Sequence, residues 1–156
     1  MKISLFDSAK NTKPQYTIVF EQYLENVKNG HWQDAVINVR RVKQSGTKEE
    51  YQAAKALVPA VTASGLFSYR NIKGLESHSG FIAIDIDAQD NPDGIEIGEL
   101  AADAYTYAIH RSIGGDGVVI YVRIDTEKHL ESFLGLEEYY LNHYKICIDS
   151  GCKDVS

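Results

Sequence analysis

The hydrophobic and polar positions follow different periods in the two halves of the chain. In the first half, after a short apolar strand at residues 2–6, apolar residues recur three and four positions apart. This spacing predicts helices over Tyr16–Lys28 and Trp32–Lys43, because residues three and four apart share one face of a helix. Asn29-Gly30 ends the first of them.

A third helix is predicted after these two. Thr47 and Glu50 have the spacing of a capping box, which predicts that the helix begins there. Pro59 ends it, because proline cannot continue a helix. The next ten residues, Ala60–Tyr69, are rich in β-branched and aromatic side chains and are interrupted by Gly65, which predicts short strands.

The second half of the chain alternates between strand and helix patterns. The predicted elements are strands at Phe81–Ile86, Tyr105–Arg111, Gly117–Ile124 and Lys145–Asp149, and helices at Ile95–Asp103 and residues 126–144. Core candidates in the long helix are Leu130, Phe133, Leu134, Leu136 and Tyr140. This order predicts an α+β fold with a mostly antiparallel sheet packed against helices.

Composition places the chain among ordinary globular proteins. It has 156 residues, 44% of them hydrophobic and 24% charged, which suits a single domain spanning residues 1–156. No apolar run is long enough for a membrane span and no signal peptide is visible, so we expect a cytoplasmic protein. The chain stops without a capped helix, so we expect the N-terminal fragment of a longer protein.

Charge is distributed unevenly along the chain. The formal net charge is −6, which argues against a protein that simply coats nucleic acid. Between Lys73 and Arg111 there is no lysine or arginine but there are eight acids, while basic residues gather between residues 40 and 55. An acidic centre flanked by basic segments is typical of a metal site beside a polyanion, and solvated helix faces are the alternative for the basic segment.

Two carboxylates end the most apolar strand. Asp85 and Asp87 are separated by one residue, so they share a strand face at roughly 6–7 Å between Cα atoms. Like charges at that spacing repel unless a cation compensates them. The pair therefore indicates a Mg²⁺ or Mn²⁺ platform, and the alternative is a strand that runs into an acidic turn.

Two further elements carry candidate chemistry. The turn Ser112-Ile-Gly-Gly-Asp-Gly117 allows close backbone approach and can form a nest of N–H groups for phosphates, although a β-hairpin also requires such residues. Asp149 ends another apolar segment, and three strand-borne acids meeting in one cleft suffice for a two-metal site. An ordinary acid in a turn is the alternative for Asp149.

These elements occur in a definite order that resembles a known family. The ordered set is Lys55-x-x-x-Pro59, Ser64-Gly65-x-Phe67, the segment from His78 to Asp87, Ser112-x-Gly-Gly-x-Gly117, Ile148-Asp149 and the segment from Lys153 to Ser156. It resembles the N-terminal domain of virulence-associated E-like proteins, which are related to the archaeo-eukaryotic primase/primase-polymerase superfamily. The resemblance implies a primase-polymerase-like fold with an RRM-like sheet.

The resemblance also implies an activity. It implies a DNA primase/polymerase-like nucleotidyl transfer domain of a mobile-element replication protein, with a DNA template, nucleoside triphosphates and a helicase-like ATPase domain in the same full-length chain. Asp85, Asp87 and Asp149 are then the catalytic acids and the ligands of two Mg²⁺ or Mn²⁺ ions. The implied phosphate-binding residues are Ser112, Gly114, Gly115, Gly117 and Arg123.

One position departs from that pattern. The strand after the glycine turn carries a phosphate-binding His or Lys in active relatives, whereas this chain has Val119. Arg123 shares the strand face of Val119 and can supply the charge, and His110 and Arg111 are further candidates, with Lys55 and Arg70 as template contacts. The alternative function is therefore a catalytically inactive module that binds nucleic acid or nucleotide. A metal-dependent nuclease ranks last, because no candidate base adjoins the acids.

Overall fold

The computed structural model describes residues 1–156, which divide into two compact units. The first unit comprises residues 1–79 together with Ser156, and the second comprises residues 80–155. The single domain expected over residues 1–156 stays a prediction. The predicted α+β class is confirmed, because every strand pairing in both units is antiparallel and helices accompany the sheets.

The first unit contains two small sheets. Strand β1 (Lys2–Phe6) lies between β2 (Tyr16–Val19) and β3 (Ala60–Thr62), and β4 (Gly65–Phe67) pairs with β5 (Leu75–His78). Its helices are α1 (Phe20–Lys28), α2 (Gln33–Ser45) and α3 (Lys48–Ala56). The buried apolar side chains of this unit include Ile3, Phe6, Phe20, Val39 and Phe67.

The capping box is confirmed, whereas the first predicted helix begins too early. The Thr47 hydroxyl accepts the N–H of Glu50 at 3.2 Å, and the Glu50 carboxylate accepts the N–H of Thr47 at 2.7 Å. The predicted helix from Tyr16 is wrong for its first four residues. These form β2, because Thr17 and Ile18 are β-branched and pair with β1.

The second unit contains one sheet and two helices. In chain order it consists of β6 (Phe81–Ile86), α4 (Ile97–Ala102), β7 (Thr106–Arg111), β8 (Val118–Arg123) and α5 (His129–Tyr144). The strands lie in the order β6-β8-β7. This β-α-β-β-α succession, with its first and third strands adjacent, is that of the split β-α-β arrangement.

The core of the second unit lies between one face of the sheet and the helices. Alternate residues of β6 and β8 point into it, so their neighbours on the opposite sheet face include Asp85 and Val119. The buried cluster comprises Ile82, Ile84, Ile86, Leu100, Val118, Ile120, Val122, Phe133, Leu136, Tyr140, Ile146 and Ile148.

Two predictions for this unit are wrong in detail. Leu130 and Leu134, predicted as core, are 54% and 53% exposed, because α5 turns the face of Phe133, Leu136 and Tyr140 toward the sheet. Residues 145–149 form no regular strand. None of the helices is long and apolar enough to cross a membrane.

Candidate functional site at the end of β6

The end of β6 presents two carboxylates. Ile84 and Ile86 are fully buried against the helices, so strand alternation directs Asp85 to the other face, where it is exposed. Asp87 follows β6 directly and is also exposed. The predicted pair therefore stands at one end of the sheet.

Asp149 joins this pair through the backbone. Its N–H donates to the carbonyl oxygen of Asp85 at 2.9 Å, so residue 149 lies against the outer edge of β6. Its carboxylate accepts the N–H of Gly151 at 2.8 Å and thereby caps a single 3-10 turn at Ser150–Lys153. The three acids predicted from the sequence are thus brought together, and we call Asp85, Asp87 and Asp149 the carboxylate edge.

A buried asparagine holds the two backbone segments of the carboxylate edge together. The Asn91 side-chain amide donates to the carbonyl of Asp87 at 2.8 Å and to that of Cys147 at 2.9 Å, and its oxygen accepts the N–H of Cys147 at 2.8 Å. Asn91 is 6% exposed. Sequence reasoning missed this residue, since an Asn before Pro in an acidic loop indicates only a turn.

A thiol lies among the three carboxylates. The Sγ atom of Cys152 accepts the N–H of Asp85 at 3.2 Å. Burial raises the pKa of this thiol to about 12. The carboxylates of Asp85, Asp149 and Asp87 add to that rise in pKa, because each disfavours another negative charge nearby. The thiol therefore stays protonated near neutral pH.

The glycine turn is the β7–β8 hairpin, and it touches the carboxylate edge. A Cβ atom on Gly117 would lie 2.5 Å from the carbonyl oxygen of Ile86 and 3.4 Å from the Cα of Asp87, so only glycine allows this approach. Gly115 has φ +89°, which likewise favours glycine. The turn and the end of β6 are therefore packed backbone against backbone.

Hydrogen bonds inside the hairpin use several of the N–H groups that were predicted to hold phosphates. Ser112 N–H donates to the carbonyl of Gly117 at 2.9 Å, and Gly115 N–H donates to the carbonyl of Ser112 at 3.0 Å. Gly117 N–H donates to the Ser112 hydroxyl at 3.2 Å. Phosphate binding by Ser112, Gly114, Gly115 and Gly117 stays a prediction.

His110 lies in the same cross-strand row as Asp85. Asp85 pairs with Val119, and Val119 pairs with His110. The His110 Nδ1 atom is 2.8 Å from the carbonyl of Arg111, which can only accept, so Nδ1 carries the proton. Nε2 then accepts from the Tyr121 hydroxyl at 3.0 Å. Burial lowers the pKa of His110 and outweighs the opposing effect of the Arg111 carbonyl, so the ring is neutral near pH 7.

Arg123 lies away from the carboxylate edge. It pairs with Phe81 at the other end of the sheet, four residues from Val119, or roughly 13 Å at the usual rise of a strand. Its guanidinium lies over the rings of Tyr107 and Phe81, at 4.7 and 5.5 Å from their centroids. Strand alternation places Arg123 on the predicted face of the sheet. The β6–β8 register, however, places it at the end of the sheet opposite the carboxylate edge.

The other predicted cations have different surroundings. Arg111 donates to the carbonyl of Gly115 at 3.3 Å and so borders the hairpin. Arg70, in the first unit, donates to the carbonyl of Ala9 and lies over the ring of Phe6, which is a structural use of the side chain. Lys55, also in the first unit, lies over the ring of Tyr51.

The carboxylate edge has the donor chemistry of a hard-cation site without a closed cage. No three histidine, cysteine, aspartate or glutamate side chains stand together as a metal-holding group in this structure. The exposed carboxylates do suit Mg²⁺ or Mn²⁺, which prefer oxygen ligands. The three-acid metal set stays a prediction.

An acidic cavity lies beside the carboxylate edge, and Asn91 is part of its lining. Its volume is about 360 Å³, and its lining includes Asp90, Asp93, Glu96 and Glu99. These acids come from the same lysine-free stretch as Asp85 and Asp87, but the structure puts them in another place. They therefore provide charge-matched controls for the carboxylate edge.

Comparison with known proteins corrects the family expected from the sequence. The chain matches the family model described as "BT4734-like, N-terminal domain" over residues 52–155, two thirds of its length. No curated protein and no solved structure matches it. The expected membership of the virulence-associated E-like family, with its primase-polymerase kinship, is wrong, because the matching model is a different one. The chain belongs to the BT4734-like N-terminal domain family.

Proposed function

We propose that the carboxylate edge of the second unit supports metal-dependent nucleotidyl transfer from a nucleoside triphosphate to the 3′-hydroxyl of a nucleic acid. The observation that carries the proposal is the hydrogen bond from Asp149 N–H to the Asp85 carbonyl. It brings a third acid, 64 positions away in the sequence, to the strand-borne pair Asp85 and Asp87. The proposal rests on this arrangement and not on family membership.

Asp85, Asp87 and Asp149 would hold Mg²⁺ or Mn²⁺. When bound, two such ions promote attack by the hydroxyl and neutralise the triphosphate and the leaving pyrophosphate. The three acids are exposed, so the ions can be reached from solvent. Their side chains must draw closer to enclose an ion, which is compatible with carboxylates that have solvent on one side.

The surrounding residues position the edge and move the proton. Asn91 fixes the backbone on both sides of it, and Gly117 sets the hairpin against Asp87. His110 is neutral and lies in the cross-strand row of Asp85. Its Nε2 accepts from the Tyr121 hydroxyl, so it can take the proton of an attacking hydroxyl only after that hydrogen bond is given up.

Primer extension by this chain tests the proposal. The readout is elongation of a labelled primer on a DNA template with nucleoside triphosphates and Mn²⁺ or Mg²⁺. We expect Asp85→Asn with Asp87→Asn to abolish elongation, whereas Asp90→Asn with Asp93→Asn, which removes the same charge beside the neighbouring cavity, leaves most of it. Absent elongation by the native chain, or elongation that survives the first double variant, would contradict the proposal. Shortened primers would instead indicate a nuclease.

A second candidate function is binding of a nucleotide or nucleic acid without transfer. Val119 favours it, because this half-buried apolar side chain lies between Asp85 and His110, where a phosphate would require a donor. Thermal unfolding with Mn²⁺ and nucleotide separates the two candidates. A ligand at about 100 times its dissociation constant stabilises a protein by roughly 2.7 kcal/mol. Stabilisation that Asp85→Asn removes, without any elongated primer, identifies a binding module.

A further inference from the structure

The two units carry opposite formal charge. Residues 1–79 contain eleven lysines and arginines against seven acids, a net charge of +4, whereas residues 80–155 contain five against fifteen, a net charge of −10. The net charge of the whole chain, −6, is the sum of these two opposite charges. The acidic unit contains the carboxylate edge, so a polyanion is attracted to the first unit and repelled by the second.

Basic side chains in the first unit converge where α2 and α3 pack together. Lys43 on α2 and Lys55 on α3 both place their ammonium groups 5.6 Å from the ring centroid of Tyr51. The two ammonium groups therefore lie no further apart than twice that distance. At that maximum separation, the two ammonium groups would span about three steps of a nucleic-acid strand at ~3.4 Å a step.

More cations belong to the same pair of helices. Lys48, in the first turn of α3, is exposed and shares a helix face with Tyr51 and Lys55. Arg41 on α2 is exposed too, but it is two residues from Lys43 and donates to the Asn38 side chain, so it faces another direction. The nearby acid Glu50 is used in the capping box, where its carboxylate accepts the N–H of Thr47. Cations brought together on one surface repel one another, and contact with an aromatic ring offsets only part of that repulsion. Such a surface gains most from a ligand with regularly spaced negative charges.

We propose that this α2–α3 surface, formed by Lys43, Lys48 and Lys55, binds the phosphate backbone of a nucleic acid. The inference rests on the proposed function for the identity of the partner, since nucleotidyl transfer requires a nucleic-acid strand. The contacts are to phosphates, so the surface holds the strand without reading its sequence. Binding is measurable without chemistry and without metal, so it can fail or succeed independently of the carboxylate edge.

Fluorescence anisotropy with a labelled single-stranded oligonucleotide tests the inference, in EDTA and over a series of salt concentrations. We expect Lys43→Gln with Lys55→Gln to weaken binding roughly tenfold at low salt, as two lost ion pairs of ordinary strength would. The slope of log affinity against log salt should fall by about 1.4, or ~0.7 for each lost phosphate contact. Lys2→Gln with Lys28→Gln removes the same charge from exposed sites elsewhere in the first unit and should change binding far less.

Two further variants keep the test decisive. Lys43→Arg with Lys55→Arg keeps the charge and should keep the binding. Lys48→Gln alters an exposed side chain of the same surface, so it should weaken binding even if changes to the two lysines beside Tyr51 disturb folding. Equal weakening by the Lys2/Lys28 control, or equal competition by polyglutamate of the same charge, would overturn the inference. Loss of primer extension with binding intact would count against the carboxylate edge alone.

Discussion

The two units of this protein are made from the same kinds of element but place their charges differently. Both combine short antiparallel strands with helices, yet the first has a net charge of +4 and the second of −10. In the second unit, strand alternation buries Ile84 and Ile86 and leaves acids at the strand end. In the first unit, the cations lie on helix surfaces around Tyr51. Similar architecture can thus carry opposite net charge, because the charged residues occupy positions that the core does not use.

The largest expected effect concerns the difference in stability between a core side chain and a surface side chain of the second unit. Phe133 is 2% exposed in the core, and the adjacent Leu134 is 53% exposed. We expect Phe133→Ala to lower the free energy of unfolding by about 3–5 kcal/mol, because it removes a buried ring and leaves a cavity. Leu134→Ala should cost less than about 1 kcal/mol. Chemical denaturation followed by circular dichroism measures both, and similar losses would contradict the assigned face of α5.

The next effect concerns the contact between the hairpin and the carboxylate edge. Gly117→Ala should lower the free energy of unfolding by about 1–3 kcal/mol, since the added Cβ would lie 2.5 Å from the Ile86 carbonyl oxygen and the backbone must move. Gly98→Ala is the matched control, because a Cβ there meets no atom within 4 Å. Thermal or chemical unfolding of both variants gives the comparison. A Gly117→Ala protein as stable as the control would show that the hairpin does not press against β6.

A smaller effect links stability to pH in the acidic unit. Burial acts to raise the pKa of Asp103, but hydrogen bonds from the hydroxyls of Tyr139 and Tyr144, at 2.6 and 2.5 Å, outweigh it, so the pKa lies below its ordinary value. A lowered pKa in the folded state stabilises the fold above the unfolded pKa of about 3.9, and this contribution is lost as the pH falls through the folded value.

We therefore expect Asp103→Asn to destabilise the protein by about 1 kcal/mol at pH 7, at the low end for hydrogen bonds to a charged group because the carboxyl is only partly buried. The difference from the native protein should vanish in acid below the folded pKa. Unfolding measured over a pH series checks the prediction. A difference that grows as the pH falls would mean that the sign of the pKa shift is wrong.

The smallest effect is a gain in stability. Gly135 lies within α5, is exposed, and would place a Cβ in open space. Gly135→Ala should stabilise the helix by up to about 1 kcal/mol, because glycine loses more backbone entropy than alanine when a helix forms. An increase in melting temperature confirms it, and a decrease would indicate a contact at this position that the structure does not show.

Local signals in the sequence predicted much of this fold. The Thr47–Glu50 capping box, the apolar strand β6 and the hairpin at residues 112–117 follow from neighbouring residues alone. The failures arise from contacts distant in sequence. Tyr16–Val19 became strand by pairing with β1, and β5 was missed because its mostly polar residues become strand only beside β4.

In the candidate site, too, the residues predicted correctly are those set by local patterns, and the residues missed are those set by contacts distant in sequence. Alternation alone put Asp85 and Asp87 together, and order along the chain suggested Asp149. Asn91 and Cys152 could not be found in this way, because each acts through a hydrogen bond to a segment more than fifty residues away. For Arg123 the predicted face was right, but which end of the sheet it occupies is set by the β6–β8 register, which no local pattern reveals.

Binding of Mn²⁺ in the presence of nucleotide, followed by electron paramagnetic resonance, tests the central claim most directly. The native protein, Asp85→Asn with Asp87→Asn, and the charge-matched Asp90→Asn with Asp93→Asn are titrated side by side. The account predicts that the native protein and the Asp90/Asp93 variant bind Mn²⁺ while the Asp85/Asp87 variant loses binding. Equal binding by both variants, or no binding by the native protein, would contradict the claim that the carboxylate edge is a cation site.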